Sequence, residues 1–418
     1  MTRFLRSACA LALGAATALS ATACKMDVAN PSVIDAATFN PNADGQTLAL
    51  SAQTNLFIAY QSVALYGGLI SDELWSGAAR LQTNRLGARV FASTDDINTD
   101  FFAPLSLAVA SNENAISALK GGAGAATDLN LARASMNLGF GLELMAETMC
   151  AGVIQGGPSL TDAQLLDSAI TRFSDAITVA TAAGTAGTTI LNQSRVGLAR
   201  AYLQRGNYTL AQQTAAQVPS AFQANIVTSA NASTQATLGN QIYGSTAGNQ
   251  LIAPKLYRIQ DPRLPIDSIS RSGTTLNGLP LVLQAKYTGY ATPIRLASGL
   301  EAQYISAEAT LHGSNNTAPA ITLINSRRSA NGQTPYAGGV DSLSVVSELL
   351  NQRARDFWIE GKKLGDLRRN PSVPLTSVLT DPVGAPFYSP GKAPTFGSSF
   401  CAPIPPQETG ANPNFPAP

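Results

Sequence analysis

The stretch TDAQLLDSAITRFSDAITVA (Thr161–Ala180), followed after a Gly/Thr-rich turn by NQSRVGLARAYLQRGNYTLAQQTAAQV (Asn192–Val218), decides the fold. In its first part Leu165, Leu166, Ala169, Ile170, Phe173, Ala176, Ile177 and Ala180 recur at i, i+3, i+4 and i+7. That period marks a helix with one buried face, and Thr161-Asp162 starts it. The second part predicts a helix over Asn192–Gln204, a turn at Arg205-Gly206-Asn207 and a partner helix from Tyr208 to Val218, stopped by Pro219. Ala199 and Ala211 are small enough for close helix approach, Tyr202 and Tyr208 wedge between helices, and Gly206 permits the tight turn. Stacked helical hairpins follow from this arrangement.

The spacing of those five residues is tetratricopeptide-like. Working outward, helical patterning is expected over Thr47–Tyr66, Ala103–Leu119, Leu129–Met149, Gly299–His312, Ala318–Ser329 and Val345–Gly361. In Leu129–Met149, Glu143 and Glu147 face away from Leu142, Met145 and Met149. Residues 67–100, 220–298 and 370–418 read as irregular, because Gly, Asn, Ser and Thr dominate and prolines such as Pro254, Pro262, Pro280 and Pro293 break any long helix. Tyr243, Tyr257, Tyr287 and Tyr290 give the central irregular region ordered aromatic content. The expectation is a mainly α fold: a single domain over 47–418, with helical repeats at about 47–66, 103–219 and 299–361 packed against a loop-rich half.

The N-terminus is read as a targeting segment. Arg3 and Arg6 precede an uncharged run from Ser7 to Ala23 that ends in small residues before Cys24. A basic start, a short apolar core and a small-residue exit describe a secretory signal over 1–23 rather than a spanning helix. Small residues before a cysteine also suit lipoprotein processing, with Cys24 acylated and 24–46 a tether; ordinary cleavage leaving a free Cys24 is the alternative. Removal of the segment changes the formal charge from +1 to −1 and takes Cys9 with it. With Cys24 acylated, Cys150 and Cys401 remain, and an oxidising compartment favours a bridge between them. Two buried thiols that never meet are the other reading.

Composition excludes several classes. Among 418 residues, 27 Lys+Arg against 26 Asp+Glu leave no basic excess for nucleic acid. One His rules out a multi-histidine metal site. Gly121–Ala126 lacks the Gly-Lys-Ser/Thr ending of a phosphate loop, and no Gly-x-Ser-x-Gly elbow occurs, so no cofactor or catalytic residue is assigned. The acid pairs Asp72/Glu73, Asp95/Asp96 and Glu301/Glu308 are read as solvated or ion-paired, the last with Arg327 and Arg328 nearby. His312 is placed at a helix end, where a cation complements the dipole. Trp75 sits in a loop with Asp72, Arg80 and Asn84, a mixture that suits a sugar site, with an aromatic face flanked by hydrogen-bonding side chains; a packing role for Trp75 is left open. Trp358, between charged residues in its helix, is read as core.

Several ordered phrases resemble the SusD/RagB family of outer-membrane nutrient-binding lipoproteins. These are Asp27–Pro31 (DVANP), Tyr66–Glu73 (YGGLISDE), Asp261-Pro262-Arg263 followed by Lys286-Tyr287, Gly299–Leu311 (GLEAQYISAEATL), Asn325–Arg328 (NSRR), Arg353–Arg369 (RARDFWIEGKKLGDLRR), and Pro403-Ile404-Pro405 with Glu408 and Asn412-Pro413-Asn414. The resemblance implies tetratricopeptide-like hairpins cradling an irregular, ligand-facing half. It further implies a lipid-anchored protein at the cell surface that captures an oligosaccharide or other nutrient for a SusC-like TonB-dependent outer-membrane transporter. Trp75, Asp72, Arg80 and Asn84 are then the expected ligand residues. Glu301, Glu308, Arg353, Glu360, Asp366 and Arg368 are expected in structural ion pairs and helix caps. A tetratricopeptide-type scaffold for outer-membrane assembly is the alternative that hairpins alone would serve.

Overall fold

A computed structural model describes residues 40–268 and 273–415; the expected signal segment, Cys24 and the tether up to residue 39 lie outside the described residues. The chain divides into two units at Asp44. In the first, residues 40–44 begin a helix, and the Asn40 N–H donates to the Asp44 carboxylate at 2.9 Å. This helix, α1 (Pro41–Ser62), opens on a proline, whose fixed φ and missing N–H suit the first helical position. Residues 41–46, expected as tether, are therefore helical.

The second unit is built mainly of helices: α2 (Ile97–Leu119), α3 (Leu129–Thr148), α4 (Asp162–Ala182), α5 (Thr188–Gln204), α6 (Tyr208–Ala215), α7 (Gly299–Ser314), α8 (Ala318–Ala330), α9 (Ser342–Asp356) and α10 (Lys363–Arg369). Each of α2 to α6 packs on the next, α7 packs on α5 and α6, α8 on α7, and α9 on α8. Helix α4 begins with a capping box, in which Thr161 and Gln164 exchange hydrogen bonds and satisfy two N–H groups that the helix itself leaves free. Leu165, Leu166, Ala169, Phe173, Ala176 and Ala180 are buried along one stripe, while Ile170 and Ile177 pack at its margin. At the α5–α6 turn Gly206 takes φ of 74°, a left-handed conformation that suits glycine, and the Asn207 N–H closes on the Tyr202 carbonyl at 2.8 Å. Ala199 and Ala211 are completely buried between the helices.

Phe173 fixes the distance between layers. Its ring meets Phe140 edge-on, with centroids 5.0 Å apart, and lies against two glycines. A Cβ on Gly197 would come within 2.3 Å of the ring, and one on Gly139 within 2.8 Å. A second core gathers Tyr304, Leu311, Ile324, Val345, Leu349 and Phe357 beneath α7 to α9.

Among the described residues, three antiparallel two-stranded ribbons hold the remaining half. They pair β1 (Trp75–Ser76) with β3 (Leu251–Ile252), β2 (Gln223–Ile226) with β6 (Ile294–Ser298), and β4 (Ile266–Asp267) with β5 (Leu283–Gln284). Residues 67–100 differ from the expected loop. A π-helical turn at Val63–Gly67 extends α1, short helices follow at Gly68–Ile70 and Leu81–Gly87, and Ser71–Gly77 is buried throughout. Residues covered on all sides show no amphipathic period, which is why this segment reads as loop. The helix expected to reach Gly361 ends at Asp356, because Ile359 (φ 51°) and Gly361 (φ 68°) turn left-handed.

Cys150 and Cys401 are joined in a disulfide. Beside it the Cys150 N–H donates to the Ala402 carbonyl and the Ala402 N–H to the Thr148 carbonyl, each at 2.8 Å. The C-terminal segment is thus fastened to the end of α3. Among the described residues no helix is long and apolar enough to cross a membrane.

Candidate functional site

The phrase YGGLISDE ends in a buried junction. Asp72, itself at φ 58°, accepts from the Arg89 guanidinium at 3.0 Å and from the Asp381 N–H at 3.0 Å. Arg89 also donates to the carbonyls of Asp381 (2.7 Å) and Gly397 (3.1 Å), and its guanidinium lies over the Phe396 and Phe400 rings. Burial pushes the Asp72 carboxyl up to about 7, with Arg89 opposing the rise. Glu73 is likewise raised by burial to about 7, against the pull of Lys363 and a 2.8 Å hydrogen bond from the Ile359 N–H. The Glu73 carbonyl accepts from Trp358 Nε1 at 2.9 Å, so Trp358 is core, as expected.

The phrase RARDFWIEGKKLGDLRR supplies a buried charge network. Glu301 meets Lys362 at 2.7 Å and lies near Arg353 and Arg200. Arg353 pairs with Asp366 at 2.7 Å, Arg369 with Glu308 at 2.8 Å, and Glu360 with both Lys286 (2.7 Å) and Arg295 (2.9 Å). Arg368 pairs with Asp162. Burial alone would raise Glu301, Glu308 and Glu360, but their cationic partners outweigh it and hold all three below the ordinary range. These are the structural ion pairs expected of this set. The partners expected for Arg327 and Arg328 differ: Arg327 pairs with Asp356 and Arg328 with Glu348. Glu143 and Glu147 do face away from the apolar side of α3, yet onto a second buried surface, where Glu147 grips Arg200. His312 lies in the last turn of α7, stacked on Tyr208 and within 3.1 Å of Asn370 Oδ1.

Of the expected ligand residues, three build the loop and one faces outward. Trp75 is only 8 % exposed; its ring stacks on Tyr388 with centroids 4.3 Å apart, and the Tyr388 hydroxyl accepts from the Ser76 N–H. The packing role left open for Trp75 is the one the structure shows. Asp72 is tied to Arg89. The buried Asn84 amide donates to the carbonyls of Ala78 and Arg80, each at 2.8 Å, while its oxygen accepts from Asn277. Asn84 thereby shapes the turn that presents Arg80. Gly77 permits the same approach: a Cβ there would sit 2.8 Å from the Asn249 carbonyl oxygen, and its N–H extends the β1–β3 pairing to the Gln250 carbonyl.

Arg80 lines a cavity of about 250 Å³ together with Tyr66, Thr83, Ser245, Gln250 and Leu251. Tyr66 is half-buried against Phe101, and burial followed by the Asp100 charge raises its phenol, which stays a hydroxyl at neutral pH. The guanidinium of Arg80 reaches Asp96 and Asp100, each at 3.0 Å. The cavity thus combines an aromatic wall, neutral hydroxyl and amide groups, and a cation already matched by two carboxylates. Tyr66 and Arg80 stood in the quoted phrases and loop; Ser245 and Gln250 carried no local signal, since β1–β3 pairing alone brings them near. Among the described residues no group of three metal-ligating side chains occurs.

No family model matches the sequence, and no curated protein does. Solved structures do match in shape. A SusD/RagB family protein from Bacteroides thetaiotaomicron superposes with a TM-score of 0.67 at 13% identity, over 88% of this chain and 94% of that one. A SusD superfamily protein from Parabacteroides distasonis gives 0.69 at 12% identity, over 90% and 99%. The surface glycan-binding protein A of Bacteroides uniformis gives 0.63 at 12% identity, over 87% and 98%. The ordered phrases, the helical hairpins with their irregular counterpart, and these superpositions over nearly whole chains agree: this chain has the SusD/RagB fold.

Proposed function

We propose that this chain is a lipid-anchored protein of the outer-membrane surface that captures a neutral oligosaccharide and delivers it to a SusC-like TonB-dependent transporter. The observation that carries the reading is the Arg80 cavity on a SusD fold. Tyr66 offers an aromatic edge to the apolar side of a sugar, and Arg80, Thr83, Ser245 and Gln250 offer hydrogen bonds to hydroxyls. Arg80 with Asp96 and Asp100 carries a net negative charge, which repels an acidic sugar. The basic N-terminal start and the small residues before Cys24 support export and anchoring. A binder held beside a channel raises local ligand concentration without any new contact.

Calorimetry with maltohexaose, cellohexaose, xylohexaose and hexagalacturonate tests the site. The expected outcome is binding of at least one neutral series, weaker binding of the galacturonate, and a loss of about tenfold or more in Arg80→Ala, the scale of one charge-assisted hydrogen bond. Unchanged affinity in that variant would remove the cavity from the reading. Cys24→Ser is expected to move the chain from membrane to soluble fractions, and a large outer-membrane barrel is expected to copurify with the wild type.

A further inference from the structure

The Arg80 cavity shares a wall with another opening. The short helix Gln241–Ala247 gives Ser245 to the Arg80 cavity, and gives Tyr243, Thr246 and Ala247 to a second cavity, also of about 250 Å³. Residues on a helix step by about 100°, so Tyr243 and Ala247 point away from Ser245 and the helix stands as a ridge between the two openings. Their floors are neighbours as well. Strand β3 supplies Leu251 to the first and β5 supplies Leu283 and Gln284 to the second. Directly beyond β3, the Ala253 N–H donates at 2.7 Å to the Val282 carbonyl directly before β5.

The ridge is anchored at its start. The Asn240 side chain accepts from the Tyr243 N–H at 3.0 Å and donates to the Thr292 carbonyl at 2.8 Å. Gly244 lets it lie close to Tyr290, whose ring a Cβ would meet at 3.0 Å. Tyr290 in turn holds the half-buried Tyr243 ring edge-on, with centroids 5.1 Å apart. The exposed Thr288 lines the same cavity, and Asp267 on β4 is the charged residue of its lining among the described residues. The aromatic wall and the hydroxyl groups repeat those of the first cavity, while among the described residues the charge of this lining is the Asp267 carboxylate where the first has the Arg80 guanidinium.

Resting on the reading of the Arg80 cavity as a saccharide site, we propose that the Tyr243 cavity is a second saccharide subsite, and that the ligand is an oligosaccharide laid across helix Gln241–Ala247 and held on both sides. A helix with its side chains is about 10–12 Å across. A disaccharide therefore engages one cavity at a time, whereas a longer chain engages both and gains the effective concentration of a linked contact.

The test compares the disaccharide and hexasaccharide of the maltose, cellobiose and xylobiose series by calorimetry and ligand-observed NMR on the full folded chain. The hexasaccharide of the bound series is expected to bind wild type at least about tenfold more tightly than its disaccharide. Thr288→Trp, at an exposed position, fills the second cavity; with Tyr243→Ala it is expected to bring the hexasaccharide down to the level of the disaccharide. The disaccharide keeps its affinity for the Arg80 cavity in Thr288→Trp, which also reports an intact fold, and in Arg80→Ala is left with the second cavity alone and binds more weakly. A hexasaccharide unaffected by Thr288→Trp, or no tighter than the disaccharide in wild type, overturns the second subsite and leaves the Arg80 reading standing. Absence of binding by every one of these sugars to wild type overturns both.

Discussion

At Gly197 the ring of Phe173 occupies the space where any side chain would begin, with a Cβ contact of 2.3 Å. Gly197→Ala must displace an aromatic ring that also bears on Phe140 and Gly139. The expected cost is about 1–3 kcal/mol, the usual range for overpacking, read as a lower denaturation midpoint with an unchanged slope. An unaltered midpoint would show that the layers can part. Phe173 was legible in the sequence because it falls on the apolar stripe of α4; Gly197 was not, since its partner belongs to another helix. Trp75 teaches the same lesson in reverse. An aromatic among polar residues reads as a ligand platform, and only the position of Tyr388, far along the chain, shows the ring already covered.

Among the helices, α4, α5, α7 and α8 were legible to within a few residues because their apolar period and punctuation are local. The Thr161 capping box and the Gly206 turn are examples. Segment 67–100 was not, because its order comes from distant chain: Asp381 and Gly397 for Arg89, Ile252 and Leu251 for β1. The disulfide belongs to this scale too. It spans a sequence separation of 251 residues, and replacing both Cys150 and Cys401 by Ser is expected to lower stability by roughly 2–4 kcal/mol. Equal stability of the oxidised wild type and the double variant in denaturant melts would count against it.

Across the molecule, two sets of buried carboxyls act in opposite directions on stability. Asp72 and Glu73 have folded values of about 7, above their ordinary range, so the fold binds protons there that the unfolded chain does not. Their contribution is complete below the ordinary range near pH 4 and is lost as pH rises through about 7. Glu301, Glu308 and Glu360 are held low by cations, so their contribution is present above the ordinary range and is lost as pH falls. The melting temperature is therefore expected to peak near pH 5, with decline on both sides, and Glu73→Gln is expected to flatten the alkaline limb. A profile still rising from pH 5 to 8 would contradict the assignment.

The junction of Asp72, Arg89, Asp381 and Gly397 also bears on the order of events during synthesis. A polypeptide made from its front end cannot complete that knot until its last stretch has emerged, so the earlier helices wait with an unfilled charge pocket. Chains cut before Asp381 are accordingly expected to be digested by an added protease at rates well above the intact protein, and equal rates would show that the earlier helices close without the tail.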